Sequence, residues 1–234
     1  MIRHNREIPA ERIRLLIFDL DGTLVDSRLD LANSVNATLR HFELPELPCD
    51  VIASYIGDGA PMLVRLALGD PDDSRLIDDA LAFFLAYYRE HKLDNTTVYD
   101  GVKESLTAIR FSRNGGRALE RTFAVLSNKP VHPSRAIVQA FGLEEKFVSV
   151  YGGNSFETKK PDPLGINTVL SETGVRPEEA VMIGDSHVDI ETGRSAGTWT
   201  CGVTYGFAPH ALVQDPGDIS VDSPQELAKL LERV

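Results

Sequence analysis

Two aspartates at the end of an apolar run, Asp19 and Asp21, are the first residues whose types and spacing suggest chemistry. Side chains alternate along an extended backbone, so both carboxylates are expected on the same side. Two such carboxylates repel each other, and the pair is tolerated when a divalent cation lies between them or when one acid carries a proton. The pair indicates metal binding or proton transfer, although aspartate is also common as an N-cap where a strand leads into a helix.

Later segments place polar side chains in similar positions. Ser127 and Asp185 each end an apolar run, Lys160 lies in the loop after a short apolar strand, and Asp189 begins a predicted helix. In open α/β sheets, ligands bind beyond the carboxyl ends of the strands. We therefore expect these side chains to meet the aspartate pair at one edge of a sheet.

The elements that must hold these residues alternate between strands and helices. Apolar runs without polar alternation predict strands that are buried on both faces, and helical spacing predicts the helices between them. The predicted strands cover residues 15–19, 122–127, 147–151, 179–185 and 199–204. The predicted helices cover residues 102–110, 133–141, 163–173, 189–196 and 224–234. This alternation predicts a Rossmann-like α/β fold, with a parallel sheet and helices on both of its faces.

A helical segment interrupts this alternation after the first strand. Apolar spacing predicts helices over 29–42 and 74–91, and two helices separated by Gly57-Asp58-Gly59 within 49–68. Residues 28–95 thus form an insert, and residues 1–27 and 96–234 form the core. The last of these helices carries an aromatic stripe, which we expect to be buried in the core of the insert rather than to form a ligand site. The stripe consists of Phe83, Phe84, Tyr87 and Tyr88.

Composition restricts the class of function. Of the 234 residues, 42% are hydrophobic and 25% are charged, which is typical of a globular protein with a hydrophobic core. The formal net charge of −11 argues against non-specific binding to nucleic acid, which needs a basic surface. Cys49 and Cys201 lie far apart, which argues against a disulfide framework and favours the cytoplasm. No apolar run is long enough for a bilayer, and the basic start lacks the apolar stretch of a secretory signal, so we expect no membrane partner.

Four motifs, taken in order, resemble those of the haloacid dehalogenase (HAD) superfamily of aspartate-nucleophile phosphatases. They are Asp19-Leu20-Asp21-Gly22-Thr23, Ser127 before Asn128-Lys129, Lys160 before Pro161-Asp162-Pro163, and Gly184-Asp185-Ser186-His187-Val188-Asp189. The resemblance covers essentially the whole chain. The chain departs from the pattern between Arg110 and Arg121, where the connection that leads to the second predicted strand of the core is longer and contains Asn114-Gly115-Gly116. We expect a helix end and a polar loop there, away from the motifs.

The resemblance implies a role for each motif residue in phosphate-ester hydrolysis. Asp19 would attack phosphorus and form an aspartyl-phosphate, and Asp21 would protonate the leaving alkoxide and then deprotonate a water. Thr23 and Ser127 would contact the bound phosphoryl group. Lys160 would belong to the catalytic set, with its ammonium on the phosphoryl oxygens.

The same resemblance implies a Mg²⁺ cofactor. Its ligands would be the carboxylates of Asp19 and Asp185 and the backbone carbonyl of Asp21. Asp189 would not bind the ion but would orient a metal-bound water or Lys160. The charges support a cation, since four acidic side chains face a single lysine. Each like-charged pair at ~4 Å costs roughly 1 to 4 kcal/mol.

Four other residues near the motifs have weaker expectations. Asn128 follows Ser127 and is expected to lend a further donor to the substrate. Lys129 and Lys159 are expected to be rim charges. His187 is expected to face solvent at a helix start, because Mg²⁺ prefers oxygen ligands.

The helical insert resembles the small α-helical cap of this superfamily, which closes over the site and contacts the leaving group. Its segment Tyr55-Ile56-Gly57-Asp58-Gly59 resembles the specificity loop of phosphoglycolate phosphatases, so Gly57 is expected at the substrate. Phosphoglycolate also carries a carboxylate, which needs a basic partner. Arg65 is the candidate partner, although a solvated helix arginine is an equally good interpretation.

The expected partner is a small phosphorylated metabolite, and the protein is expected to be a monomer or a homodimer. Several alternatives to phosphoglycolate hydrolysis remain open. The substrate of the phosphatase is alternatively pyrophosphate, a sugar phosphate or a nucleotide. A further alternative is a phosphotransferase similar to β-phosphoglucomutase. A dehalogenase is disfavoured, because Asp21 supplies the acid that a leaving alkoxide needs. A catalytically silent binding module is the alternative from a different class.

Overall fold

The computed structural model describes residues 2–114, 117–207, 212 and 215–232. In chain order the strands are β1 (Arg3–His4), β2 (Leu15–Phe18), β3 (Val25–Asp26), β4 (Thr97–Val98), β5 (Phe111–Asn114), β6 (Arg117–Glu120), β7 (Thr122–Leu126), β8 (Ser149–Tyr151), β9 (Ala180–Gly184), β10 (Trp199–Val203) and β11 (Ile219–Val221). The helices are α1 (Arg28–His41), α2 (Cys49–Ala53), α3 (Ala60–Ala67), α4 (Ser74–His91), α5 (Val102–Arg110), α6 (Val131–Ala140), α7 (Leu164–Thr173), α8 (His187–Ser195) and α9 (Pro224–Glu232).

The main sheet of the described residues has seven strands in the spatial order β1-β11-β10-β9-β2-β7-β8. All neighbours are parallel except β1, which runs antiparallel to β11. Phe18, at the end of β2, pairs with Val125 of β7 on one side and with Ile183 of β9 on the other. The three strands therefore end at nearly the same level, and the polar residues that follow them meet at one edge of the sheet.

Strand β2 is buried completely because helices cover both faces of the sheet. Leu16 and Phe18 belong to one hydrophobic cluster, whereas Leu15 and Ile17 belong to another. The first cluster includes residues of α5, α6 and α9, and the second includes residues of α7. The predicted α/β fold, with a parallel sheet between two layers of helices, is confirmed.

Helices α1 to α4 pack around a hydrophobic cluster of their own. It joins Leu31 and Leu39 of α1 to Leu63 of α3 and to Phe84 and Tyr88 of α4. Phe84 and Tyr88 lie in this cluster, whereas Phe83 and Tyr87 are half-buried outside it, so the prediction of a buried aromatic stripe holds for two of its four residues. In the described part of the chain, no helix is both long and apolar enough to cross a membrane.

Asp30 joins the first helix of this segment to the chain that leaves the last one. Its buried carboxylate accepts hydrogen bonds from the backbone N–H and side-chain amide of Asn95, at 2.8 to 3.0 Å. It also accepts hydrogen bonds from the backbone N–H and hydroxyl of Thr96, both at 2.7 Å. The two chain crossings between the helices and the sheet are therefore held side by side.

The segment after α5 differs from the prediction. Strands β5 and β6 form an antiparallel pair, with Phe111 opposite Glu120 and Asn114 opposite Arg117. The expectation of a helix end and a polar loop was therefore wrong. The pair Gly115-Gly116 between two short runs is a hairpin signal in the sequence, although these two residues lie outside the described ones.

Candidate active site

Asp19 follows β2 directly and lies at the centre of the polar cluster. Its backbone N–H donates to the carbonyl of Ile183 in β9, at 2.8 Å, which continues the strand pairing. Its Oδ1 accepts a hydrogen bond from Lys160 Nζ, also at 2.8 Å. Burial raises the pKa of Asp19 from 3.8 to about 6, although Lys160 opposes the change. The site thus holds a desolvated carboxylate directly after the end of a central strand.

Lys160 reaches this carboxylate from the loop after β8. Its ammonium donates to Asp19 and also to Asp189 Oδ1, at 2.5 Å. Burial by itself lowers the pKa of Lys160, but Asp189 and Asp19 raise it above its ordinary value. The ammonium is therefore charged and is held between two carboxylates, while its contact with phosphoryl oxygens stays a prediction.

Asp189, in the first turn of α8, uses both carboxylate oxygens inside the protein. While Oδ1 accepts from Lys160, Oδ2 accepts from the backbone N–H and the hydroxyl of Ser186, at 3.1 and 2.7 Å. This arrangement caps α8 and fixes the position of Lys160 at the same time. His187, the neighbouring residue, is exposed at the start of α8, as expected.

Asp185, which follows β9, completes a buried acidic group. One ligand atom from each of Asp19, Asp185 and Asp189 lies within 4.8 Å of the others. Burial raises the pKa of Asp185 well above its ordinary value, and the charges of Asp189 and Asp19 raise it further. Phe207 donates its backbone N–H to Asp185 Oδ2, at 2.6 Å. The group offers hard oxygen ligands in a place where uncompensated negative charge is costly, and these residues therefore fit a divalent cation such as Mg²⁺.

Asp21 lies beside this cluster with both oxygens hydrogen-bonded. Ser27 donates its hydroxyl to Oδ1 at 2.5 Å, and Lys129 donates its ammonium to Oδ2 at 2.6 Å. Lys129 is only 6% exposed, and its Nζ lies 4.6 Å from the ring centroid of Tyr88 on α4. The prediction that Lys129 is a rim charge was therefore wrong, because the ring of α4 covers it.

The segment after β7 supplies the remaining polar groups. Ser127 donates its backbone N–H to the carbonyl of Tyr151 in β8, at 3.0 Å, and its hydroxyl lies at the cavity that the acids face. Asn128 also lines this cavity, but its amide nitrogen donates to the carbonyls of Gly57 and Lys160, both at 3.0 Å. The amide thus joins the loop between α2 and α3 to the lysine loop.

Two buried oxygens near the acids have no hydrogen-bond partner among the described residues. They are Thr23 Oγ1 and Asn128 Oδ1. An unpaired buried hydroxyl costs free energy, whereas a bound ligand with acceptor oxygens satisfies it. Thr23 does not line the cavity that the acids face, so its contact with the substrate stays a prediction.

Arg65 does not reach the site. Its side chain is 45% exposed on α3 and forms an ion pair with Asp70. The residue is absent from the cavity wall, so this conformation gives no support to the prediction that it contacts the substrate. Lys159 is exposed, as expected, and donates to the carbonyl of Asp58 in the loop that contains Gly57.

A cavity of about 60 Å³ separates the acids from the helical segment. Its polar end includes Asp19, Asp21, Ser127 and Asp185, and Gly57 lines it from the loop between α2 and α3. Its apolar wall includes Leu31, Ile56, Leu63, Phe84, Tyr88 and Phe207. Sequence reasoning missed the apolar wall, and it also missed Lys129 and Tyr88 as residues of the cavity. A usable signal was the position of Lys129, two residues after Ser127 on the chain that leaves the same strand.

Comparisons with known proteins agree with this geometry. Residues 16–203 match a family model described as haloacid dehalogenase-like hydrolase. Phosphoglycolate phosphatase of Chromobacterium violaceum is 36% identical over 226 residues, which are 95% of this chain and 98% of that protein. Phosphoglycolate phosphatase of Psychrobacter arcticus is 38% identical over 201 residues, which are 83% of this chain and 84% of that protein.

Solved structures agree as well. A crystal structure of a predicted phosphoglycolate phosphatase from Haemophilus somnus superposes with a TM-score of 0.82 at 30% identity. The superposition covers 94% of this chain and 98% of that one. The resemblance stated from the sequence motifs is confirmed, and so is the prediction of a hydrolase. This chain belongs to the haloacid dehalogenase-like hydrolase family.

Proposed function

We propose that this protein is a Mg²⁺-dependent phosphatase that hydrolyses 2-phosphoglycolate to glycolate and phosphate through an aspartyl-phosphate on Asp19. The carrying observation is the buried Asp19 carboxylate, with Lys160 Nζ at 2.8 Å and carboxylate oxygens of Asp185 and Asp189 within 4.8 Å. The family membership supports the chemistry. The names of the relatives support the substrate.

A bound Mg²⁺ neutralises charge on the phosphoryl group and on the surrounding acids. In our proposal the carboxylates of Asp19 and Asp185 and the backbone carbonyl of Asp21 hold the ion. Asp189 acts indirectly, because Lys160 and Ser186 occupy its oxygens. The buried acidic group supports this assignment for two reasons. It offers the oxygen ligands that Mg²⁺ prefers, and the raised pKa of Asp185 reflects negative charge that a bound cation would offset.

The proposed reaction has two chemical steps. A carboxylate oxygen of Asp19 attacks phosphorus, the bond from phosphorus to the leaving oxygen breaks, and Asp21 gives that oxygen a proton. A water then attacks the phosphorus of the aspartyl-phosphate, and Asp21 accepts its proton. The bond from phosphorus to Asp19 breaks, and inorganic phosphate and free Asp19 result.

The remaining polar residues position the phosphoryl group. Lys160 donates to its oxygens, and the hydroxyls of Ser127 and Thr23 supply neutral donors. The unpartnered Thr23 Oγ1 supports this role for Thr23. Asn128 supports the loop that carries Lys160, because its amide nitrogen is already engaged by two carbonyls.

We further propose that residues 28–95 form a cap over a core of residues 1–27 and 96–234. The separate hydrophobic cluster of α1 to α4 supports this division. A cap that closes over the cavity excludes water other than the one that reacts. The apolar wall supplied by α1, α3 and α4 supports that function.

The cavity size supports a small leaving group. The part next to the acids has a volume of about 60 Å³, a few times the ~10–15 Å³ that one water needs, so a small leaving group fits there. A cytoplasmic location is part of the proposal, and the free cysteines Cys49 and Cys201 support it.

A phosphate-release panel with Mg²⁺ tests the proposal. The panel contains 2-phosphoglycolate, pyrophosphate, glucose 6-phosphate, a nucleoside monophosphate and p-nitrophenyl phosphate. We expect the highest kcat/KM for 2-phosphoglycolate and no turnover by Asp19→Asn. Turnover by Asp19→Asn at the wild-type rate would contradict the nucleophile. Preference for a nucleotide would contradict the substrate, and transfer of the phosphoryl group to a sugar would favour a phosphotransferase.

A further inference from the structure

The leaving group of 2-phosphoglycolate carries a carboxylate, and a buried carboxylate needs a cationic partner. Arg65 is turned away from the cavity and paired with Asp70. Lys160 is held between Asp19 and Asp189, on the phosphoryl side. Among the described residues, Lys129 is the single cation in the cavity wall.

Lys129 is held where such a leaving group has to lie. Its ammonium is 2.6 Å from Asp21 Oδ2, the oxygen of the proposed acid, and its side chain is only 4% exposed. In 2-phosphoglycolate one methylene separates the carboxylate from the oxygen that leaves phosphorus. A cation one hydrogen bond away from the acid therefore suits an anion that is close to the leaving oxygen.

The rest of the pocket favours the same pairing. Leu31, Leu63 and Phe84 form an apolar wall, which offers an anion no other partner. An ammonium has three donors, and Asp21 takes one of them. The ring of Tyr88 lies over the ammonium, which stabilises its charge and holds it at the boundary between the sheet and the helical segment.

We propose that Lys129 is the residue that selects the leaving group, because its ammonium binds the substrate carboxylate next to Asp21. The inference rests on the proposed phosphatase function and deepens it. Phosphate esters whose leaving group carries an α-carboxylate bind Lys129, whereas esters of the same size with an uncharged leaving group leave Lys129 paired with Asp21 alone.

The test compares two substrates that differ only at this position. Ethyl phosphate has a methyl group where 2-phosphoglycolate has its carboxylate. A charged hydrogen bond corresponds to roughly a 10- to 150-fold preference, so we expect wild-type kcat/KM to favour 2-phosphoglycolate by that factor. In Lys129→Met we expect turnover of both esters to fall, because Asp21 loses its ion pair. The loss should be larger for 2-phosphoglycolate, mainly through a higher KM, so that the preference disappears.

Two variants separate recognition from folding. Lys129→Arg keeps the charge and is expected to recover part of the preference. Lys103→Met removes an exposed lysine on α5 and is expected to keep all of it. Equal losses for both substrates in Lys129→Met would overturn the inference, because a residue that only supports Asp21 or the fold affects both esters alike.

Binding provides a second measurement that does not depend on turnover. Calorimetric titration of Asp19→Asn, with and without Lys129→Met, gives the affinity for each ester directly. We expect the additional substitution to weaken 2-phosphoglycolate binding and to leave ethyl phosphate binding nearly unchanged. Equal use of both esters by the wild type would overturn the inference alone. A wild type that neither binds nor hydrolyses 2-phosphoglycolate, but hydrolyses other esters, would overturn the proposed substrate and the inference together.

Discussion

Gly22 and Asp185 approach so closely that a Cβ atom on Gly22 would overlap Oδ2 of Asp185. Gly22 also has a φ of 80°, in the left-handed region that favours glycine. The backbone after β2 therefore reaches the second strand-end acid only because this side chain is missing. The distance between the proposed nucleophile and the proposed metal ligand depends on this glycine.

Gly22→Ala should therefore lose activity. We expect kcat to fall by roughly 100-fold, because a displacement of about 1 Å at a catalytic group has that effect. The strained backbone should also destabilise the protein by about 1–3 kcal/mol. Phosphate release and urea unfolding measure the two effects.

Gly142→Ala is the matched control for this substitution. Gly142 has a φ of 64°, but a Cβ atom there would meet nothing within 4 Å. It should lose a similar amount of stability and keep its kcat. Equal kcat values for the two variants would show that the overlap with Asp185 does not cause the loss of activity in Gly22→Ala.

Removal of divalent metal should abolish turnover. We expect EDTA to stop phosphate release and Mg²⁺ to restore it, because the buried acids lose the cation that offsets their charge. In Asp185→Asn, the rise in melting temperature on addition of Mg²⁺ should be much smaller than in the wild type. Asp78→Asn, an exposed change on α4, should respond like the wild type. Unchanged turnover in EDTA would exclude the proposed metal.

Asp19 should make the metal-free protein less stable as the pH rises. Its pKa is about 6 in the folded protein and 3.8 in the unfolded chain, so the folded state binds more protons between these values. The contribution of Asp19 to stability is therefore present below pH 3.8 and is lost as the pH rises through about 6.

The measurement is the free energy of unfolding in EDTA, relative to Asp19→Asn. We expect the wild type to lose on the order of 1–3 kcal/mol relative to the variant across this range. Saturating Mg²⁺ should remove the trend, because the ion binds the ionised carboxylate. A wild type that gains stability relative to Asp19→Asn as the pH rises in EDTA would contradict the direction of the pKa shift.

Asp30→Ala should loosen the connection between the helices and the sheet. The change leaves the backbone N–H groups of Asn95 and Thr96 without their acceptor, so we expect a loss of about 2–4 kcal/mol in the free energy of unfolding. Asp78→Ala, an exposed change on α4, should lose less than about 0.5 kcal/mol. Similar losses in both variants would show that the hydrogen bonds of Asp30 contribute little.

Arg121→Met should be among the most destabilising single changes. The guanidinium is buried and donates to the carbonyls of Ile13, Ile109 and Leu231, at 2.9 to 3.0 Å. It thus joins the start of the chain, the end of α5 and the last helix. Methionine leaves these buried carbonyls without a donor, so we expect a loss of about 2–4 kcal/mol on urea unfolding. Arg12→Met, at an exposed arginine, serves as the control and should lose little.

The residues that end apolar strands were predictable, because both the strand and its carboxyl end are local features. Asp19 and Asp185 follow continuous apolar runs, and parallel pairing of those runs brings their carboxyl ends to the same edge of the sheet. The positions of Lys129 and Arg65 were not predictable in this way. The burial of Lys129 results from Tyr88, which is 41 residues away, and a helical pattern does not show whether Arg65 faces the cavity or solvent.

The hydrogen bonds of Asn128 have a consequence for substrate entry. One N–H of its amide holds the Gly57 carbonyl, and the other holds the carbonyl of Lys160. An outward swing of the helices would break the first of these bonds and leave the second intact. The ammonium of Lys160 would then keep its place in an open cleft, so an arriving phosphate would meet a positive charge that is already in position.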